Sequence, residues 1–182
     1  IFEDLGVYNI IKDFSIEKIL FMNHFNNNSL SINFWLDRVD GVFVGNELSY
    51  NELKFINDNV KGNVILHLYG HNQVMYSRRL LLSNWQNEYK ISKKNNLIIE
   101  DKASKVKFRA LENEYGTVMY SDNIFNGKRL ESFDNIKYFY VNPTLINHEQ
   151  VMAFLEKRIV SDGEDEGFLD KETIYRVKEI SK

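Results

Sequence analysis

The chain has 182 residues, which suits one domain or one domain with a small appendage, and its 43% hydrophobic and 14% aromatic residues are enough to build a core. Its 23 basic and 26 acidic side chains give a formal charge of −3, which argues against a generally basic nucleic-acid binder but leaves room for a local basic patch. The chain has no Cys, which excludes disulfides, thiol nucleophiles and Cys-ligated zinc or iron–sulfur sites within it. No apolar run approaches the roughly 18 residues that a membrane-spanning helix needs.

The first half of the chain alternates apolar β-rich runs with helical patterns. Helices are predicted at Asp4–Phe14, Ser29–Leu36 and Ser49–Val60, and strands at Lys18–Asn23, Gly41–Val44 and Val64–Tyr69. In the first helix, one face carries Val7, Ile10, Ile11 and Phe14. The third helix is the best defined, because Ser49 and Glu52 match a capping box. Near-continuous apolar strands in alternation with helices indicate parallel βαβ units with right-handed crossovers.

The second half of the chain is more polar and reads as a mixed β/α region. Leu97–Ile99 is a short apolar spot in a Lys- and Asn-rich stretch. An antiparallel hairpin is predicted from Val106–Leu111 and Thr117–Ser121, with a turn at Asn113–Gly116. The remaining predictions are a strand at Ile136–Val141, a helix at Asn147–Ile159, an acidic loop at Asp162–Glu166 and a short closing helix at Lys171–Ile180.

The most specific signal is the segment Tyr69–Trp85, YGHNQVMYSRRLLLSNW. An apolar run reaches Gly70 and His71, and Ser77-Arg78-Arg79 and then a Leu-rich stretch follow. This order and spacing resemble the signature region of peptidase family U32, the collagenase-like proteases. Tyr69 stands where that family has His, and Leu80 or its neighbour where it has Cys.

The resemblance extends to three further segments, Val39–Ser49, Val106–Ser121 and Gly163–Val177. In the first of these, Asn46 stands where Arg is usual. The last is similar to the tail of a subgroup that includes bacterial proteins of tRNA wobble-uridine 5-hydroxylation. The likeness therefore implies a cytoplasmic bacterial protein, of which this chain is the C-terminal portion. No membrane is expected as a partner, because no apolar run is long enough to span one.

The family fold implies a TIM-type barrel with C-terminal additions. Residues 1–92 would then form a partial α/β barrel of parallel βαβ units, and residues 93–182 a C-terminal β-hairpin and helix region. A partial barrel leaves an open sheet edge, which is expected at or next to the strand Lys18–Asn23. The missing N-terminal half, self-association or a covering helix is expected to satisfy that edge.

Barrel enzymes place their active sites at the C-terminal ends of the strands. There the sequence offers His24, Glu47 and His71 as a candidate metal site, with Glu47 and His71 also as candidate catalytic acid–base groups. The alternative is that all three are polar loop residues after buried strands. His67 is expected to be a hydrogen-bonded core histidine, and His148 a surface residue at a helix start.

Arg78 and Arg79 are the candidate anion- or RNA-binding pair, because a guanidinium makes bidentate contacts with phosphate or carboxylate. The alternative is an ion pair with Glu47 or another acid. Arg109, Lys105 and Lys107 add a basic stripe near the predicted hairpin, and a solvated strand face is its alternative reading.

Three functions remain open from the sequence. The Cys-free chain resembles the members of the subgroup that are thought to act beside a Cys-bearing paralogue. It could therefore be the cluster-free subunit, the one without an iron–sulfur cluster, that supports tRNA hydroxylation. Its partners would then be tRNA and that paralogue. It could instead be a peptidase whose catalytic groups lie mainly outside this chain, since it has neither a Gly-x-Ser-x-Gly elbow nor a His-Glu-x-x-His motif, and a Ser77–His71 pair is weak support. The third reading is a non-catalytic interaction module. No cofactor is expected in this chain, because an iron–sulfur cluster needs Cys ligands.

Overall fold

The computed structural model describes residues 1–22, 24–156 and 163–171, and in these the chain is mixed α/β. The elements run in the order α1 Leu5–Ile11, β1 Ile19–Leu20, α2 Ser29–Leu36, β2 Gly41–Phe43, α3 Tyr50–Asn59, β3 Val64–Ser77, α4 Leu81–Glu88, β4 Asn96–Glu100, β5 Lys107–Asn113, β6 Gly116–Asn126, a 3-10 helix Lys128–Ser132, β7 Ile136–Asn142, α5 His148–Leu155 and β8 Glu164–Asp165. The strands form a sheet with both parallel and antiparallel pairs.

The chain divides into two compact units that interleave along the sequence. Unit 1 contains Ile1–Leu68, Asn126–Val141 and the described residues from Glu166 onward. Unit 2 contains Tyr69–Phe125 and Asn142–Asp165. These compact units are not a test of domain boundaries, so the predicted division into residues 1–92 and 93–182 stays a prediction.

Unit 1 contains the predicted parallel strands. Ile19 pairs with Gly41 and Val42 pairs with Val64, so β1, β2 and the first part of β3 run parallel, with α2 and α3 between them. The strand side chains Leu20, Val42, Phe43, Val64 and Ile65 are buried, as the apolar runs predicted, and Ile19 is half-buried. These strands confirm the βαβ reading. Among the described residues β1 is shorter than the predicted Lys18–Asn23, whose last residue lies outside them.

The capping box at the start of α3 is present. The Ser49 hydroxyl accepts a hydrogen bond from the Glu52 N–H, and the Glu52 carboxylate accepts one from the Ser49 N–H at 2.9 Å. Together they satisfy two of the backbone donors that a helix N-terminus leaves free.

The outer end of this parallel group is β1, which ends the strand order as predicted. Beyond it, Phe2 forms a single parallel bridge to Leu20. The helix α1 was predicted to have one apolar face, but it has no buried residue, and Ile10 is 69% exposed. Unit 1 therefore presents an apolar helix face to solvent.

Unit 2 contains the second part of β3 and the antiparallel strands. The predicted hairpin is confirmed, because Asn113 pairs with Gly116 and Phe108 with Ser121 in antiparallel register. The strand β4 adds to β5 antiparallel, and β8 pairs parallel with β6 within the predicted acidic loop. Within the described residues, α5 covers the first part of the predicted helix Asn147–Ile159, and all of the predicted closing helix after Lys171 lies outside them.

The predicted strand end at Tyr69 is wrong, because β3 continues without a break to Ser77. Gly70 lies inside the strand with φ +128°, a value that only glycine adopts easily. A Cβ at this position would overlap the carbonyl oxygen of Asn142, so glycine also permits a close backbone approach. Gly70, His71 and Asn72 are consequently strand residues and do not form a loop beyond a strand end.

None of the helices in the described ranges is long and apolar enough to cross a membrane.

Candidate functional site

Arg78 and Arg79 lie directly between the end of β3 at Ser77 and the start of α4 at Leu81. The predicted location, in a cleft at a strand end near Gly70, is wrong because the strand ends seven residues later. Both side chains are exposed, and within the described residues of unit 2 neither guanidinium forms a salt bridge. The site presents two adjacent cations to solvent.

The backbone under this pair is held by hydrogen bonds. The Arg79 N–H donates to the Ser77 hydroxyl at 3.1 Å. The Arg79 carbonyl accepts from the Leu81 N–H at 3.0 Å, and its oxygen also lies 2.9 Å from the Thr117 hydroxyl, whose single proton it shares with Glu112. Because the backbone is already held, anion binding does not have to order this turn, and less backbone conformational entropy is lost.

Glu112 of β5 is a buried carboxylate that organises the same corner. Its side chain accepts hydrogen bonds from the Leu82 N–H at 2.7 Å, the Ser83 N–H at 3.0 Å and the Thr117 hydroxyl at 2.7 Å. The Ser83 hydroxyl donates a fourth. Burial alone would raise the pKa of Glu112, but the hydrogen bonds from Ser83, Thr117 and the two backbone N–H groups outweigh it and hold the pKa below its ordinary value.

Glu112, on strand β5, therefore caps the N-terminus of helix α4. The residue before the helix, Leu80, has no side chain that can cap it. A carboxylate at a helix N-terminus satisfies free N–H groups and opposes the positive end of the helix dipole. An external anion at this corner would consequently be bound by Arg78 and Arg79 and not by the helix end, which Glu112 already occupies.

The segment around the arginine pair is strongly basic in an acidic chain. Residues 78–107 contain eight Lys or Arg and three Asp or Glu, a formal +5, in a chain whose total is −3. Within the described part of this segment, only Lys105 forms a salt bridge, at 3.5 Å to Glu100. This asymmetry favours an anionic partner here.

Arg109, in the predicted basic stripe, forms an ion pair with a carboxylate of the neighbouring strand. Its Nε lies 2.9 Å from Oδ1 of Asp122 on β6. The N–H does not point along a hydrogen bond to that oxygen, so the contact is mainly electrostatic. Arg109 and Lys105 are thus both ion-paired, which neither the basic-stripe prediction nor its solvated-face alternative anticipated.

His71 is a core histidine. The residue is 2% exposed, its Nδ1 lies 3.3 Å from the Asn123 carbonyl oxygen, and its own carbonyl accepts from the Asn142 amide at 3.0 Å. Burial, and then the nearby Arg109 charge, lower the pKa of His71, and backbone contacts and Asp122 oppose them only in part. These surroundings favour a neutral imidazole. The role of His71 as a catalytic acid–base group stays a hypothesis.

His24 and Glu47 approach each other in unit 1, with Nδ1 3.8 Å from the carboxylate and both side chains substantially exposed. His71 belongs to unit 2, and its ring contacts the Asn123 backbone. Among the described residues no group of three or more His, Cys, Asp or Glu is arranged to hold a metal ion. Hence His24 and Glu47 are near each other, as the metal hypothesis requires, but the structure gives no support for the third ligand.

Two other predictions about histidine are consistent with the structure. His67 is buried, with its ring centroid 5.4 Å from that of Tyr140. His148 is exposed at the first residue of α5. Tyr69 is a packing residue, since its ring stacks on Phe154 at 4.1 Å and its hydroxyl donates to Glu164 at 2.8 Å.

The lowered pKa of His71 predicts a specific pH dependence of stability. Because the unfolded chain binds a proton at the ordinary pKa of 6.5 and the folded chain binds it only at lower pH, protonation favours unfolding. This contribution to stability is complete above pH 6.5 and is lost as the pH falls through 6.5 toward the folded pKa. Urea unfolding at a series of pH values should show the loss, and His71→Gln should remove it. The matched variant of the exposed histidine, His148→Gln, should leave it unchanged, and a pH dependence that survives His71→Gln would contradict the assignment.

Sequence reasoning did not identify Glu112 or Thr117 as site residues. A usable signal was present, because a helix that follows Leu80 has no N-cap side chain of its own, so its free N–H groups need an acceptor from elsewhere in the chain.

Comparison with known proteins gives the family. Residues 1–141 match the model of Peptidase family U32, and the chain belongs to this family. The matched range includes the arginine pair and Glu112. No curated protein and no solved structure matches the chain significantly.

Proposed function

We propose that this chain acts as the cluster-free member of a pair of U32-family proteins that supports 5-hydroxylation of the wobble uridine in tRNA, with Arg78 and Arg79 binding RNA phosphate. The observation that carries the proposal is the arginine pair itself, which is exposed, lacks a salt-bridge partner in the described residues of its unit, and stands on a fixed backbone.

The chemistry of the pair suits a polyanion. A guanidinium binds two phosphate oxygens at once through a planar fork, and two adjacent arginines on a turn can contact successive phosphates. The formal +5 of residues 78–107, against −8 for the rest of the chain, directs a polyanion to this part of the surface and away from the rest.

The absence of Cys supports the division of labour in this proposal. With no Cys in these 182 residues, a Cys-ligated redox centre has to come from outside them, and in this proposal a Cys-containing U32 paralogue in the cytoplasm supplies it. The parallel strands β1, β2 and β3 with their crossover helices support the further proposal that residues 1–92 are the last part of a TIM-type barrel, completed by segments outside these residues or by self-association.

The double variant Arg78→Ala/Arg79→Ala tests the proposal directly. Each charge-assisted contact contributes about 1.5–3 kcal/mol, so tRNA affinity should fall at least about tenfold. Loss of two phosphate contacts should also reduce the slope of log K against log salt by about 1.4–1.8. Fluorescence anisotropy with labelled tRNA at several salt concentrations measures both quantities.

Two control variants sharpen this test. Arg78→Lys/Arg79→Lys keeps both charges but not the planar forks, and should recover only part of the affinity. Arg38→Ala removes an exposed guanidinium of unit 1 that stacks on Phe34, and should leave tRNA affinity unchanged. In cells, mass spectrometry of tRNA nucleosides should show loss of 5-hydroxylated uridine in the double-Ala strain. Unchanged nucleosides, together with cleavage of casein or collagen by the protein, would favour the peptidase reading.

A further inference from the structure

The strand β4 is an open edge of the sheet. It occupies the last position in the strand order and pairs on one side with β5. Among the described residues no strand pairs with its other side. Edges of this kind pair readily with an added strand from another polypeptide.

The hydrogen bonds beside β4 identify which of its residues face outward. In the β4–β5 register, the flanking pairs Asn95–Glu112 and Asp101–Val106 are hydrogen-bonded, at 2.8 Å and 2.9 Å. Antiparallel ladders alternate bonded and non-bonded pairs, so alternate residues between these flanks point their N–H and C=O groups away from β5. The outward residues are Asn96, Ile98 and Glu100.

An apolar groove of about 610 Å³ lies between α4 and β4. Its lining is mainly aliphatic, with one aromatic side chain, and Trp85 and Ile98 remain 49% and 59% exposed. The principal apolar residues are Leu81, Leu82, Trp85, Ile91, Leu97 and Ile99. An apolar groove beside an open strand edge can bind an extended chain through both its backbone and its side chains.

Lysines surround this groove and set the charge of its partner. Lys90, Lys93 and Lys94 are exposed in the segment that joins α4 to β4. The Gln86 side-chain amide donates to the Lys94 carbonyl at 2.8 Å and accepts from the Lys94 N–H. The loop backbone is thereby held at the groove, and the ammonium groups are left to contact an acidic partner.

We propose that β4 and this groove bind an extended segment of a partner protein in which apolar and acidic residues alternate. The segment adds to β4 as a further strand through Asn96, Ile98 and Glu100, places its apolar side chains in the groove, and pairs its carboxylates with the lysines. Single-stranded RNA fits these observations less well, because it would leave the outward backbone groups unpaired and would find one aromatic platform in the groove. The inference does not depend on tRNA binding at Arg78 and Arg79.

The probe is a fluorescein-labelled peptide of alternating Val and Glu, titrated with the 182-residue chain by fluorescence anisotropy. Ile98→Pro removes the outward N–H without removing a hydrogen bond to β5, and edge strands tolerate Pro at such positions. We expect this variant to bind at least tenfold more weakly, whereas Ile98→Val should bind like the wild type. Lys93→Glu/Lys94→Glu should weaken binding by a similar factor, and Lys12→Glu, an exposed lysine of unit 1, should not.

Amide hydrogen exchange keeps the test decisive if the Pro variant is poorly folded. In the wild-type chain, the peptide should slow exchange at Ile98 and Glu100 at least tenfold, and a Val–Lys peptide should not. Failure of the Val–Glu peptide to bind, or binding that is insensitive to both Ile98→Pro and Lys93→Glu/Lys94→Glu, would overturn the proposal. So would an oligouridylate that protects these amides and displaces the peptide, because the groove would then be a nucleic-acid site.

Discussion

Replacement of Glu112 by Ala should destabilise unit 2 by about 3–5 kcal/mol, one of the largest effects that a single substitution in this chain can have. The carboxylate is 6% exposed and accepts from Leu82, Ser83 and Thr117. Its removal leaves buried donors without a partner, at about 1–3 kcal/mol each, and also removes the cap of α4, worth about 1 kcal/mol. Urea unfolding followed through Trp85 in a Trp35→Phe background measures the loss in the correct unit.

Three controls separate the hydrogen-bond network from general effects. Glu112→Gln keeps one acceptor oxygen and should cost less than Glu112→Ala. Glu114→Ala changes an exposed acid two residues along the hairpin and should stay within about 0.5 kcal/mol of wild type. Because the folded pKa of Glu112 is lowered, its contribution is present above the ordinary pKa of 4.5 and is lost as the pH falls through the folded value. A loss below about 1 kcal/mol for Glu112→Ala at neutral pH would contradict the role of the carboxylate as cap.

The parallel part of the fold was predictable because its signals are local. The apolar runs around Leu20, Val42 and Val64 predict buried strands, and the Ser49–Glu52 capping box fixes the start of α3. The hairpin turn ending at Gly116 was equally clear. Each of these depends on a few adjacent residues and not on distant contacts.

The course of β3 beyond Tyr69 was not predictable in the same way. Gly70 normally marks a turn, but here it allows the strand to pass close to the Asn142 backbone, which is 72 residues away along the chain. The environment of Arg78 and Arg79 also depends on Thr117 and Glu112, whose bonds to Arg79 and Leu82 connect segments about 30 to 38 residues apart. The sequence therefore suggested the arginine pair as a candidate site but gave no sign of the network that holds its backbone.

The backbone at Arg78 also constrains the hairpin turn, and Gly116 shows how. Gly116 has φ +141°, and a Cβ there would overlap the carbonyl oxygen of Ser77 and lie 2.9 Å from the Arg78 Cα. Both neighbours are backbone atoms, so they cannot move aside as a flexible side chain could. Any side chain at residue 116 has to displace the segment that carries the arginine pair.

Gly116→Ala should therefore destabilise unit 2 by at least about 3 kcal/mol, through backbone strain of about 1–3 kcal/mol and the additional steric overlap. Gly163→Ala is the matched control, because Gly163 also has a positive φ, +99°, but a Cβ there meets nothing within 4 Å. It should show the backbone strain alone. Under conditions where both variants are folded, Gly116→Ala should also weaken tRNA binding, although it removes no charge, because it shifts the Arg78 backbone. Equal destabilisation by the two substitutions, with unchanged tRNA affinity, would show that the close approach at Ser77 does not position the arginine pair.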